Sequence, residues 1–192
     1  MKFVIIRLKY RNMSKSKEII LGVTGSIAAY KACELINRLR ERRINVTAVM
    51  TKEAQEFITP LTLQTLSANK VVCDLFALPE NVNPLHISLA QRADLVLIAP
   101  ATANIIAKLA AGLADDALTA LCLSTRAPIV LCCAMNEQMF KHKITRENIA
   151  RLKKAGSRFI GPRIGRLVCG GRGMGHLAEV EEIVRETIRI LR

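Results

Sequence analysis

Four short stretches carry side chains whose types and spacing could do chemistry. TGSIAAY places Ser26 just after Gly22 and Gly25, where an apolar run gives way to a helical pattern. Backbone amides and a hydroxyl at such a junction can hold an anion. HISLA opens on His86, and an imidazole is a side chain that can take or share a proton. AMNEQM follows an apolar run with Met135 and Asn136. An asparagine offers two amide donors to a carboxylate without adding charge. GRLVCGGRGMGH sets Cys169 among glycines, six of the ten in the chain lying from Gly161 to Gly175. A thiol with an ordinary pKa of ~8.5 stays protonated near neutrality and can donate a proton.

Each of these residues has a plainer role open to it. Ser26 and Asn136 both stand where a helix cap is expected, and capping uses the same amides as phosphate binding. His86 by position alone reads first as the opening residue of a helix. Cys169 reads equally as an ordinary loop residue or a sensor thiol. GGRGMG mimics a dinucleotide fingerprint, but it comes late and no clear strand leads into it. It reads instead as a glycine-hinged flap over about 161–176.

The elements that must position these groups alternate. Short apolar runs at Glu18–Val23, Ile44–Met50, Asp94–Pro100 and Ala127–Met135 predict strands, with a weaker one at Arg158–Ile160. Helical spacing is expected over Ile27–Arg43, with Ile27, Tyr30, Leu35 and Leu39 on one side. It recurs after Thr51, after Pro60, from His86, over Asn104–Leu123 with a break near Gly112, over Thr145–Ala155 and over Glu179–Leu191. Thr51 is expected to cap its segment through its side chain. Strands apolar throughout are those covered on both faces. The pattern predicts an α/β fold, a three-layer Rossmann- or flavodoxin-like open parallel sheet with helices on both faces.

In such sheets ligands bind beyond the carboxyl ends of the strands. Those ends carry Gly25 and Ser26, Thr51, the Pro100-Ala101-Thr102-Ala103-Asn104 loop, and Ala134-Met135-Asn136. Thr51 and Lys52 close the second strand where a ribose-binding acid would be expected. A mononucleotide therefore fits better than a dinucleotide.

With 192 residues, 51% hydrophobic but only 4% aromatic, the chain predicts one domain over 17–192 with an aliphatic core. Residues 1–16 read as a disordered arm or start-site extension, since Met13 begins a second plausible start. Six of the thirteen excess positive charges precede the first acid, Glu18. The rest describe a basic surface, with no aromatic or zinc-finger motif to suggest nucleic acid. No uncharged apolar run reaches membrane-spanning length. The six cysteines form no C-x-x-C pair, so reduced thiols, no metal and a cytoplasmic location are expected, with five of them read as small buried hydrophobes.

Taken in order, VTGSIAAYKA, MTKEAQEFI, HISLA, APATAN, AMNEQM and LVCGGRGMG with its following LAE and EEI resemble the homo-oligomeric flavin-containing cysteine decarboxylases. The likeness runs from about Lys17 to the end and is nearest the branch acting on phosphopantothenoylcysteine. It departs where the family's P-x-M-N-x-x-M-W reads Cys133 to Phe140, without the proline and tryptophan.

The resemblance implies FMN held by Gly25, Ser26, Thr51, Thr102, Ala103, Asn104 and Ala134. It implies His86 as the active-site histidine, Asn136 with Met135 on the substrate carboxylate, and Cys169 on a substrate-covering flap. The implied reaction is FMN-dependent decarboxylation of N-(4′-phosphopantothenoyl)cysteine to 4′-phosphopantetheine and CO₂ in coenzyme A formation. It would pass through a thioaldehyde and an ene-thiol with no net redox change. Trimers, or dodecamers of trimers, are implied, with a separate phosphopantothenate–cysteine ligase as an expected partner. Alternatives are a peptidyl-cysteine decarboxylase, which would not need Cys169, and a non-catalytic FMN-binding regulatory subunit.

Overall fold

A computed structural model describes residues 16–76, 84–166 and 172–192. The proposed N-terminal arm through residue 15 and Cys169 lie outside the described residues.

Strands β1 (Glu18–Val23), β2 (Asn45–Met50), β3 (Leu95–Ala101), β4 (Ile129–Cys133) and β5 (Arg158–Ile160) form one parallel sheet in the order β2-β1-β3-β4-β5. The chain reverses its direction of travel across the sheet between β1 and β3. This is the flavodoxin-type order, with its switch point there.

The unbroken apolar strands are explained by two cores. Side chains alternate across a strand. Ile19, Leu21 and Val23 of β1 and Leu95 and Leu97 of β3 face one cluster, whereas Ile20, Val96 and Ile98 face the other. Helices α1 (Lys31–Glu41), α2 (Pro60–Ser67) and α8 (Val180–Leu191) cover the first through Leu35, Leu39, Leu63 and Ile183. Helices α3 (Leu85–Arg92), α4 (Ala103–Ala111), α5 (Ala117–Ser124) and α7 (Lys143–Lys154) cover the second through Leu89, Ile105, Leu118 and Leu152. A Cβ on Gly22 would stand 2.7 Å from Leu118 Cδ1, so α5 packs this closely only against a glycine.

Several expectations change. Ile27–Tyr30 is a 3₁₀ turn, and only Lys31–Glu41 is α-helical. Three residues per turn shift the phase of the pattern. Ile27 and Tyr30 are accordingly 53% and 60% exposed, while Leu35 and Leu39 are buried. The span expected as one broken helix from Asn104 is two, because Gly112 takes a left-handed φ of 74° and Asp116 starts α5 with a capping box to Thr119. Cys122, Cys132 and Cys133 are buried as expected, but Cys33 and Cys73 are only partly so.

The glycine-rich segment contains regular structure. Strands β6 (Arg163–Arg166) and β7 (Arg172–His176) pair antiparallel as a separate two-stranded ribbon. A strand does lead toward the glycines, contrary to the sequence reading. Short glycine-interrupted strands give too little apolar periodicity to be seen in sequence. No helix among the described residues is long and apolar enough to cross a membrane.

Candidate active site

The carboxyl ends of β1 and β3 open into a cleft of about 260 Å³ at the switch point. Gly25, Ser26, Thr51, Thr102, Ala103, Asn104 and Ala134, the residues expected around a mononucleotide, all line it, with Met135 beside them. They come from four segments of the chain. The parallel register brings them to one edge of the sheet.

Thr24 ties the two central strands together. Its Oγ1 donates to Pro100 O at 2.8 Å and accepts from the Thr102 N–H at 3.3 Å. Ser26 Oγ in turn accepts from the Ala28 N–H at 3.3 Å, at the start of the 3₁₀ turn. Thr102 Oγ1 accepts from the Ile105 N–H at 3.4 Å and caps α4. Gly25 allows a close approach, since a Cβ there would meet Glu53 Cβ at 2.4 Å.

Thr51 departs from expectation. It precedes the 3₁₀ segment Lys52–Glu56 but makes no side-chain cap. It is only 6% exposed, and its Oγ1 is buried with no partner. A hydroxyl in that state is costly without a hydrogen bond. In the wall of a cleft it is a group prepared for a polar ligand.

Asp116 also lines the cleft and is paired with a lysine. Lys108 Nζ lies 3.1 Å from Asp116 Oδ2 and 2.9 Å from Asp115 Oδ2. Burial works against the Lys108 charge, yet the two carboxylates more than offset this and raise its pKa. The Lys108 hydrogen bond likewise holds Asp115 below the usual carboxylate range. Sequence reasoning passed over Asp116, although its D-x-x-T spacing before an apolar run is a capping signal. Thr24 was visible in the T-G-S turn but not singled out. Glu53, Ile105 and Met139 complete the lining, Glu53 and Met139 from the MTKEAQEFI and AMNEQM stretches.

Asn136 is the N-cap of the short helix α6 (Glu137–Lys141), its Oδ1 accepting from the Gln138 N–H at 2.8 Å. It directly follows the cleft-lining Met135. His86 is the second residue of α3 and does not line the cleft, though its Nδ1 is buried without a hydrogen-bond partner. Cys169 lies outside the described residues.

The fold and cleft define a class: a doubly wound sheet of flavodoxin order with a mononucleotide-sized site at the switch point. A family model described as "Flavoprotein" matches residues 7–192, and the chain belongs to that family. Its sequence is 47% identical over 168 residues to the coenzyme A biosynthesis bifunctional protein CoaBC of Vibrio vulnificus, covering 88% of this chain and 42% of that one. The chain thus spans about two fifths of the length of such relatives.

Among solved structures, a PPC decarboxylase mutant complexed with pantothenoylaminoethenethiol superposes with a TM-score of 0.81 and 30% identity, covering 92% of this chain and 98% of that one. The FMN binding protein AtHal3 superposes with a TM-score of 0.77 and 30% identity, covering 92% and 96% respectively.

Proposed function

We propose that this chain is an FMN-dependent carboxy-lyase that converts N-(4′-phosphopantothenoyl)cysteine to 4′-phosphopantetheine and CO₂ in coenzyme A formation. The observation that carries the proposal is the cleft. All seven residues that the resemblance gives to FMN meet there, in a chain whose relatives are coenzyme A biosynthesis proteins.

The residues present fit FMN. Thr51 Oγ1 is a buried hydroxyl awaiting a partner, and Gly25 and Ser26 bring the turn after β1 into the cleft lining. Asp116 there is paired with Lys108, which it shares with Asp115. Ser26, Thr51, Thr102, Ala103 and Asn104, with Gly25 and Ala134, would hold the cofactor. FMN supplies reversible two-electron chemistry at the substrate carbon that bears sulfur, so that decarboxylation need not leave an unstabilised carbanion.

The chain's own side chains position and protonate. Asn136, next to the cleft wall, donates its amide hydrogens to the substrate carboxylate and orients it without a countercharge that would hold CO₂ in place. The resemblance gives His86 the role of taking or sharing a proton at its imidazole during oxidation of the substrate thiol; His86 stands outside the lining of this chain's own cleft, so it would act across a subunit contact of the homo-oligomer. Cys169 gives the last proton from Sγ to complete the saturated product. The enzyme is a homo-oligomer, a trimer or a dodecamer of trimers, and a phosphopantothenate–cysteine ligase activity supplies its substrate.

The cofactor arm of the proposal is tested by reconstitution. Protein incubated with FMN and desalted should retain a flavin absorbance spectrum. Colourless protein would overturn the proposal.

A further inference from the structure

Strand β7 is fastened to the segment that carries Asn136 by two hydrogen bonds. The Met135 N–H donates to Gly175 O at 3.0 Å. The Met174 N–H donates to Glu137 Oε1 at 3.1 Å. Asn136 stands between the two fastened residues. Glycine is demanded at Gly175, against backbone, and at Gly173 it leaves room for the Glu137 carboxylate. A Cβ at Gly175 would fall 2.1 Å from Met135 O, and one at Gly173 would fall 2.8 Å from Glu137 Cδ. Gly175 also holds a φ of 142°, open to few other residues.

We infer that Glu137 is a positioning residue: by accepting the Met174 N–H it clamps the Met135–Glu137 segment against β7 and so fixes where Asn136 presents its amide. Two features support a clamp over a surface ion pair. The carboxylate meets a main-chain donor on another element, and the facing glycine is one that no larger residue could replace without moving it. Lys141 Nζ lies 3.0 Å from the same Oε1, one helical turn along. Pairs of that i,i+4 kind with an exposed lysine add little by themselves.

The role assigned to Asn136 rests on the decarboxylase reading above, so the test has one arm independent of turnover. Hydrogen exchange of the FMN-reconstituted full chain reads the clamp directly. Glu137→Ala is expected to speed exchange in peptides spanning 135–139 and 172–176 by roughly tenfold, from loss of a hydrogen bond to a charged group. Exchange in the β1 and β3 peptides should stay unchanged. Glu137→Gln retains an acceptor oxygen and is expected to restore protection, while Lys141→Ala should behave as wild type.

In steady-state assays Glu137→Ala is expected to raise KM for the carboxylate substrate by roughly tenfold with kcat changed much less, again with rescue by Gln. Gly173→Ala attacks the same contact from the other strand and should reproduce both effects, which keeps the test available if Glu137→Ala folds poorly. Wild-type exchange in Glu137→Ala or Gly173→Ala would overturn the clamp, as would a Gln variant damaged as much as the Ala variant. Altered exchange with unaltered KM would overturn its role in presenting Asn136. Absence of turnover in wild type would count against the decarboxylase reading, with the exchange arm still deciding the clamp.

Discussion

Thr24→Val tests whether the cleft depends on the tie between the central strands. Valine keeps the shape of threonine but removes the donor to Pro100 O and the acceptor for the Thr102 N–H. Thr24 is 2% exposed and Pro100 is buried, so Pro100 O finds no ready replacement, whereas Thr102 is half-buried and its amide can recover water. A buried group left without a partner costs about 1–3 kcal/mol, which puts the net loss near ~2 kcal/mol. For a chain of this size that is a fall in Tm of about 4–8 °C. Calorimetry on protein freed of cofactor measures it, and a flavin-fluorescence titration should show weaker FMN binding, because the Thr24 tie joins two walls of the site. Thr24→Ser keeps the hydroxyl and loses one methyl, so it should retain most of both properties. A Val variant melting within about 1 °C of wild type, or a Ser variant as impaired as Val, would refute the reasoning.

Gly25→Ala should destabilise by about 1–3 kcal/mol through overpacking against Glu53 and weaken FMN binding, as thermal melts and the same titration would reveal. Burial pushes the Cys122 and Cys133 thiols up to about 12 from an ordinary 9.0. The folded state therefore holds these protons more tightly than the unfolded chain. Their contribution to stability is complete below about pH 9 and declines as pH rises from there toward 12. Tm measured from pH 8 upward should begin to fall above pH 9, less steeply in a Cys122→Ala/Cys133→Ala variant; an identical slope would count against the buried thiols. Cys169→Ser should release CO₂ but accumulate a product two hydrogens short of phosphopantetheine by mass spectrometry. Normal turnover, or an inert variant with no such species, would remove Cys169 as the final proton donor.

The sheet was legible because its strands are apolar on both faces, and Glu18–Val23 was placed to the residue. The cleft followed, since strand ends in an open parallel sheet converge whatever their side chains do. Less visible were features set by local conformation. The 3₁₀ turn at Ile27–Tyr30 broke a pattern read with helical period, and the left-handed Gly112 split a span that looked continuous. Strands β6 and β7 were hidden because their glycines answer to close approach, Gly165 to His176, Gly173 to Glu137 and Gly175 to Met135, a constraint that leaves no periodic trace. Thr51 was placed in the right wall for a partly wrong reason: its hydroxyl is buried and unpartnered instead of capping the turn. His86 and Cys169 rest on resemblance. Of these, His86 is placed away from the cleft lining, and Cys169 lies outside the described residues.

The central claim is decided most directly by incubating the FMN-loaded wild-type chain with N-(4′-phosphopantothenoyl)cysteine and following both reactant and product by mass spectrometry. The account predicts loss of CO₂, appearance of 4′-phosphopantetheine in equal amount, and no consumption of an external oxidant or reductant. Flavin retained with the substrate unchanged would contradict it and mark the chain as a flavin-binding subunit without this activity.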